Sequence, residues 1–249
     1  MLAEKRQQII MKQLTDRHVV KLQDLVSLMH ASESTVRRDL QELEGRHLLR
    51  RVHGGALLVR PRNDEPDMAT KTARNIQKKK AIAKFAASLV KDKECIYLDA
   101  GTTTLEVIPF LKDKHVTVVT NGPKHGEMLA EQNTVCYLIG GKVKRSTKAV
   151  IGSIAVQTLN LFRFDKAFVG VNGIDTEMGF TTPDPEEAML KKHASELAEQ
   201  TYVLADSSKF SEISSCKIID LNQADVITDS LPDTAGSSIS EITRVYCCS

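Results

Sequence analysis

Two stretches of this chain bring together residue types that can do chemistry. The first is D-A-G-T-T-T at residues 99–104. Gly101 permits a tight turn, and Thr102, Thr103 and Thr104 place hydroxyls at what reads as the start of a helix. Free backbone N–H groups beside hydroxyls suit an anion such as phosphate. The same residues also suit an ordinary helix start, with Thr102 or Thr103 as the cap. The second stretch is S-T-V-R-R-D-L at residues 34–40. It offers two hydroxyls and then two guanidinium groups, which fork onto phosphates and base edges. Asp206, Lys209, Asp99 and Asp184 form a third candidate, an acid–base set for opening or isomerising a sugar phosphate. Lys209 is equally suited to clamp a bound phosphate by charge. Neither a G-x-x-x-x-G-K-[ST] nucleotide loop nor a convincing dinucleotide fingerprint occurs.

Charge and length say how these stretches are housed. The 249 residues carry a formal charge of only +2. The charge is uneven: residues 1–62 hold 12 Lys and Arg against 7 Asp and Glu, and the remainder holds 22 against 25. A basic end on a slightly acidic body predicts a small polyanion-binding module joined to a larger domain with another task. The first residues, M-L-A-E-K-R-Q-Q, form no leading apolar segment, and no run of about 18 apolar residues occurs. A membrane span is therefore not expected. The five cysteines, Cys95, Cys136, Cys216, Cys247 and Cys248, follow no staple-like or metal-like spacing. Reduced thiols, no metal and a cytoplasmic location are the expectation. Cys247 and Cys248 read as an exposed terminal pair.

The module is expected over residues 1–59. Residues 2–14 read as a helix burying Ile9, Ile10 and Leu14, with Arg6, Gln7 and Lys12 toward solvent. Residues 18–20 read as a short extended link. Residues 21–29 read as a second helix with Leu22, Leu25, Val26 and Met29 inward. Residues 31–43 read as a third, capped by Ser32 or Ser34, with Val36, Leu40 and Leu43 on one stripe. Two short helices about three residues apart place a helix start in the DNA major groove. Residues 48–59 (L-L-R-R-V-H-G-G-A-L-L-V) read as two strands around a turn at Gly54 and Gly55, which makes the arrangement a winged helix-turn-helix. Base reading then falls to Ser34, Thr35, Arg37 and Arg38. Lys21, Arg46, Arg50 and Arg51 are placed for phosphate contacts. Arg38 has an alternative, an ion pair with Glu42 one turn on. His53 either touches the DNA backbone or packs under the wing.

Residues 60–71, polar and carrying Pro61 and Pro66, read as a linker. The expected body is residues 72–249, opening with a long helix over 72–90. Short Val- and Ile-rich runs then alternate with helical segments, at residues 95–98, 116–119, 135–139, 166–169, 201–204, 216–219 and 226–228. This pattern predicts an α/β fold with a mostly parallel sheet covered on both faces. Ligands in such sheets bind beyond the carboxyl ends of the strands. Several runs end in polar clusters there. These are Asp99 to Thr104, Thr120 with Asn121, Gly140 with Gly141 and Lys142, Gly170 with Asn172, and Asp206 to Lys209. Residues 179–188 (G-F-T-T-P-D-P-E-E-A), with Asp184, read as a polar turn entering a helix. Lys142 to Lys148 (K-V-K-R-S-T-K) is unusually basic, for a second phosphate or as solvated surface.

Both halves resemble the DeoR-type bacterial transcriptional regulators. The resemblance runs through S-T-V-R-R-D-L and R-V-H-G-G-A (residues 51–56). It continues through K-x-x-I-A (79–83), D-A-G-T-T-T, V-V-T-N-G (118–122), the Gly140 and Gly141 pair, G-V-N-G-I-D (170–175) and A-D-S-S-K-F (205–210). It implies a body similar to ribose-5-phosphate isomerase, with catalysis lost and sugar-phosphate binding kept. It also implies that Asp99, Thr102, Thr103, Thr104, Asn121, Gly141, Asp206 and Lys209 surround a phosphorylated sugar. Members assemble as homo-oligomers, dimers or tetramers, and grip double-stranded operator DNA differently when the sugar binds. Within the family the chain is most similar to fructose-operon repressors of Gram-positive bacteria, which implies fructose 1-phosphate as regulatory ligand and no cofactor. Two other classes stay open on the residues alone: an active isomerase fused to a DNA-binding module, and a non-specific DNA-binding scaffold.

Overall fold

The computed structural model describes residues 2–17, 19–46, 48–52, 54–58, 68–232 and 236–248. The chain divides into two compact units, Met1–Pro61 and Arg62–Ser249. His18, His53 and most of the expected linker, residues 60–67, lie outside the described residues.

The first unit contains α1 (Ala3–Arg17), β1 (Val19–Lys21), α2 (Leu22–Met29), α3 (Glu33–Gly45), β2 (Leu49–Val52) and β3 (Gly55–Leu58). Ile10 and Leu14 of α1, Leu22 and Leu25 of α2, and Val36, Leu40 and Leu43 of α3 close one apolar core. Two sequence expectations need correction. Arg6 does not face solvent. It is buried against α3, donating from Nε and Nη2 to Asp39 at 2.6 and 2.9 Å. A fully buried carboxylate needs such a partner, and hydropathy periodicity gives no hint of one. Lys21, at the N-cap of α2, also belongs to the wing. It ends β1, which pairs antiparallel with β3, so the wing is a three-stranded sheet in the order β1-β3-β2. Gly55 allows this pairing: a Cβ there would lie 2.0 Å from the Val20 carbonyl oxygen.

The second unit opens with α4 (Met68–Ala73) and α5 (Ile76–Ser88). The single helix expected over 72–90 is broken at Asn75, whose φ is 56°. Then follow β4 (Cys95–Leu98), α6 (Thr102–Leu105), β5 (Thr117–Thr120), α7 (Pro123–Glu131), β6 (Val135–Leu138), β7 (Lys142–Val143), β8 (Val150–Ile151) and α8 (Ser153–Leu159). The remainder is β9 (Phe164–Gly170), β10 (Gly173–Asp175), β11 (Gly179–Thr182), α9 (Pro185–Glu196), β12 (Ala198–Leu204), β13 (Cys216–Ile219), β14 (Asp225–Thr228), α10 (Gly236–Ile242) and β15 (Val245–Cys247).

Seven strands form one parallel sheet in the order β15-β14-β12-β9-β4-β5-β6. Successive residues alternate between its two faces. Ile96, Leu98, Val118 and Phe168 join the core under α5, while Tyr97, Val119, Ala167 and Val169 join the core under α8 and α9. Each buried Val, Leu, Ile or Phe side chain here contributes about 1.5–3 kcal/mol. The run at 216–219 is not in this sheet. As β13 it pairs antiparallel with β11 in a small satellite sheet. The C-terminal pair also differs from expectation: Cys247 ends edge strand β15 and is exposed, and Cys248 is buried. Among the described residues no helix is long and apolar enough to cross a membrane.

Candidate functional site

Strand order reverses between β4 and β9, since β5 and β6 lie on one side of β4 and β9, β12, β14 and β15 on the other. The crevice beyond the carboxyl ends at such a reversal is where open α/β sheets receive ligands. Asp99 sits there, directly after β4. Its Oδ2 accepts from the Gly170 amide at 3.0 Å, at the end of β9, and pairs with the buried Nζ of Lys191 from α9. Gly101 and Gly170 face one another across the reversal, and a Cβ on Gly101 would lie 3.8 Å from the Gly170 Cα.

The three threonines divide. Thr104 is fully buried and its hydroxyl is used locally, accepting from the Gly101 amide at 3.0 Å and lying 3.2 Å from His125 Nε2. Thr102 and Thr103 occupy the first turn of α6, where helix geometry leaves backbone N–H groups without intrahelical partners. Gly101, and no threonine, takes the N-cap position.

Asn121 is a brace. Its side-chain oxygen accepts from the Tyr97 hydroxyl at 3.0 Å and the Ala100 amide at 2.8 Å, and its Nδ2 donates to the Val150 carbonyl at 3.1 Å. Thr120 accepts from the Gly122 amide at 3.1 Å. Both residues therefore fix the loops after β4 and β5. His125 lies against them, fully buried, and burial pushes its pKa down to about 4. The unfolded chain takes up a proton near the ordinary histidine value of 6.5, and the folded chain only near 4. The stability that His125 contributes is thus complete above pH 6.5 and is lost as pH falls toward 4. We expect about 3 kcal/mol of loss between pH 7 and 4 that a His125→Asn chain does not show. Denaturant melts at both pH values check this. Equal losses in the two proteins would refute it.

A second polar group collects at the ends of β12 and β14. Asp206 is buried. It accepts from Ser208 N at 3.0 Å and from Asn75 Nδ2 at 3.1 Å, which ties the break between α4 and α5 to this loop. Lys78 pairs with Asp229 at 2.9 Å and donates to Ser207 Oγ at 2.7 Å. Lys79 is buried and donates to the Lys71 carbonyl. Burial lowers its pKa to about 8, with Lys209 and Arg74 adding repulsion against the pull of Asp206 and Glu106.

The β7–β8 hairpin behaves differently from expectation. Lys142 pairs with Glu186 at 2.8 Å. Lys144 reaches Asp184 at 3.1 Å and Glu187 at 3.2 Å, and Thr147 donates to Glu187 at 2.6 Å. The basic run thus docks on the acidic first turn of α9, where Asp184 is the N-cap, accepting from the Glu187 amide at 3.0 Å. Desolvation is the largest single influence on the Asp184 pKa and raises it, but the cap bond and Lys144 together outweigh it and hold the pKa low. Gly141, at φ 147°, serves the hairpin, because a Cβ there would lie 2.7 Å from the Ile151 carbonyl oxygen. Gly140 is exposed beside it. Asn172 accepts from Thr182 Oγ1 at 3.1 Å.

The proposed acid–base set is accordingly dispersed: Asp99 is held by Lys191, Asp184 by Lys144 and its cap, and Asp206 by Ser208 and Asn75. Sequence reasoning missed Lys191 and His125. Lys191 had a signal: it lies on the buried face of α9 with Glu187, Ala188 and Ala194, where an unpaired lysine is not tolerated. A cavity of about 430 Å³ adjoins the group, lined by Met68, Thr72 and Ala73 of α4, by Ala100 and Leu105, by Gly122 to His125, and by Thr147 and Lys148.

In the first unit Ser32 caps α3, accepting from the Thr35 amide at 3.3 Å. Its hydroxyl also lies 3.0 Å from Ser34 Oγ and 2.8 Å from Thr35 Oγ1. Arg37 and Arg38 are exposed. Arg37 bonds Glu33 at 2.6 Å, and Arg38 lies 3.9 Å from Glu42. Arg51 is tied to Glu44 through its amide at 2.7 Å and its Nε at 2.6 Å, and these bonds lower the Glu44 pKa. Arg46 bonds Gln7 at 3.4 Å. Lys21 and Arg50 are exposed on the wing sheet. His53 is outside the described residues.

A winged helix-turn-helix whose third helix exposes Arg37 and Arg38, joined in one chain to a parallel α/β body with its polar groups at the switch point, defines a ligand-responsive DNA-binding regulator. Comparison with known proteins names the family. The DeoR-like helix-turn-helix domain model matches residues 6–62, and the DeoR C terminal sensor domain model matches residues 74–230. The chain belongs to the DeoR family of helix-turn-helix transcriptional regulators. It is 47% identical over 246 residues, 98% of each chain, to the uncharacterized HTH-type transcriptional regulator FruR of Bacillus subtilis (strain 168). It is 35% identical to the HTH-type transcriptional regulator GlpR of Haloferax volcanii, over 94% of this chain and 92% of that one. It is 37% identical to a putative aga operon transcriptional repressor of Escherichia coli O157:H7, over 90% and 85%. Both family models describe regulatory domains, which groups the chain with regulators and not with enzymes. Among solved structures, ribose 5-phosphate isomerase A of Methanocaldococcus jannaschii superposes with a TM-score of 0.42 at 20% identity over 55% of each chain.

Proposed function

We propose that the chain represses a carbohydrate-utilisation operon and that a phosphorylated sugar, fructose 1-phosphate foremost, relieves the repression. The observation that carries this reading is the buried Asp99–Lys191 pair at the strand reversal, beside the first turn of α6. A phosphate arriving there meets free N–H groups, the Thr102 and Thr103 hydroxyls and nearby lysines, the chemistry an anion needs. Lys191 and Lys79 are added to the effector contacts proposed from sequence, which already include Lys209, while Lys142 and Gly141 serve the hairpin. Operator DNA is proposed to meet Ser34, Thr35, Arg37 and Arg38 through base edges. Lys21, Arg46, Arg50 and Arg51 would meet it through phosphates. The domain limits we propose remain 1–59, 60–71 and 72–249. The relatives named for FruR and for an aga operon support a sugar pathway.

A route for switching follows from Lys79. Its ammonium holds the Lys71 carbonyl of α4, the first described element after residue 67. A phosphate competing for that ammonium would loosen α4 and so alter the path toward the DNA-binding unit. A ligand shifts such an equilibrium only by its affinity difference between states. The full chain should show a selective thermal shift with one phosphorylated sugar. That sugar should also weaken operator binding by about 10-fold or more at fixed salt. Unchanged operator affinity at saturating sugar phosphate sinks the reading.

A further inference from the structure

We propose that two copies of this chain join through β6, edge to edge and antiparallel, so that the seven-stranded sheets of the two copies become one continuous sheet. Among the described residues β6 pairs with β5 alone. The Ile139 amide donates to the Thr120 carbonyl at 3.0 Å, and Leu138 is in register with Thr120. Residues of a parallel strand bond alternately to its two sides. Tyr137 and Ile139 therefore bond toward β5, and Cys136 and Leu138 turn their N–H and C=O groups outward.

This outward pattern is its own complement. With a two-fold axis beside Tyr137, Cys136 stands opposite the partner's Leu138, and the two exchange both bonds. The reciprocal pair does the same, giving four hydrogen bonds around a non-hydrogen-bonded centre at Tyr137. The side chains agree. Soluble proteins blunt edge strands with lysine, proline or bulges, and V-C-Y-L has none of these. Val135 is 58% exposed, Tyr137 51% and Leu138 49%. The Tyr137 ring lies 5.3 Å from that of Phe162, next to Leu161, which is 80% exposed. The two-fold would set a second apolar ridge of the same kind against this one. A second copy is also what a helix-turn-helix needs to read two half-sites. Pairing through β6 requires neither sugar nor DNA, so its failure would leave the repressor reading standing.

The test uses the full chain without DNA or ligand. At a non-hydrogen-bonded antiparallel position the Cα atoms stand about 4.5 Å apart, inside the range a disulfide spans. In a Cys136→Ser background, Tyr137→Cys should give a disulfide-linked dimer on mild oxidation. Val135→Cys in the same background should give none above the background protein, because position 135 does not meet itself. Leu138→Pro removes two of the four bonds without touching the β5 ladder. Sedimentation equilibrium should show its dimer dissociation constant raised about 10-fold or more. A monomeric wild type overturns the inference. So does a dimer in which Tyr137→Cys links no better than Val135→Cys.

Discussion

Replacing Lys191 with alanine is expected to destabilise the α/β body by about 3–5 kcal/mol, the cost of leaving a buried charge without its partner. The Lys191 and Asp99 side chains are 8% and 3% exposed, so solvent screens the stranded charge poorly. The Asp99 carboxylate also fixes the Gly170 amide, and Asp99 N donates to the Phe168 carbonyl at 3.0 Å. The stranded charge therefore sits at the join between β4 and β9, in the middle of the sheet. Denaturant unfolding measures the loss. Removing both charges tests the cause: Asp99→Asn with Lys191→Met should recover most of the stability, because an apolar or neutral pair costs less than half an ion pair. The double variant should still fail to respond to the sugar phosphate, since the cation proposed to greet the phosphate is gone. A single Lys191→Ala chain within about 1 kcal/mol of wild type would show the pair to be of little structural weight.

That pair also marks where sequence reasoning reaches its limit. The strand runs ending at Leu98 and at Val169 were legible, because β-branched and apolar runs bounded by Gly and Asp report buried parallel strands. So was the third helix, since Val36, Leu40 and Leu43 keep helical spacing and all three are buried. What joins distant segments was not legible. Lys191 meets Asp99 across 92 positions of chain, and Arg6 meets Asp39 across 33. Nothing local in either residue announces the other. Asn121 illustrates the same gap: nothing local shows that its amide spans Tyr97, Ala100 and Val150. The break at Asn75 went unseen because Thr72 to Val90 is compatible with a continuous helix, and only the left-handed backbone at one residue interrupts it. The basic run from Lys142 was visible but its partners were not, since the acidic turn that neutralises it begins at Asp184.

Arg37→Ala is expected to weaken operator binding by about 1–3 kcal/mol, roughly 5- to 150-fold, and to relax the preference for one base pair. In the DNA-free protein the Arg37 guanidinium rests on Glu33, with Nε at 2.8 Å and Nη2 at 2.6 Å from one carboxylate oxygen. The two side chains are 60% and 57% exposed, which makes the pair easy to exchange for a base edge or phosphate. For the same reason the substitution should leave folding stability nearly unchanged, whereas Val36 and Leu40 hold the helix by burial. Glu33→Gln should act in the opposite direction, freeing Arg37 and removing a negative charge from the face proposed to meet DNA. Lys21→Ala provides the contrast: taking away an ammonium proposed to meet only phosphate should weaken specific and random duplexes alike and reduce the salt slope by about one. Fluorescence anisotropy with operator and random duplexes, at several salt concentrations, separates these cases. Equal losses of Arg37→Ala on both duplexes would make Arg37 a positioning contact. A parallel loss of sugar-phosphate affinity would contradict the division of labour between the two units, because Arg37 lies on α3, outside the body to which the sugar is assigned.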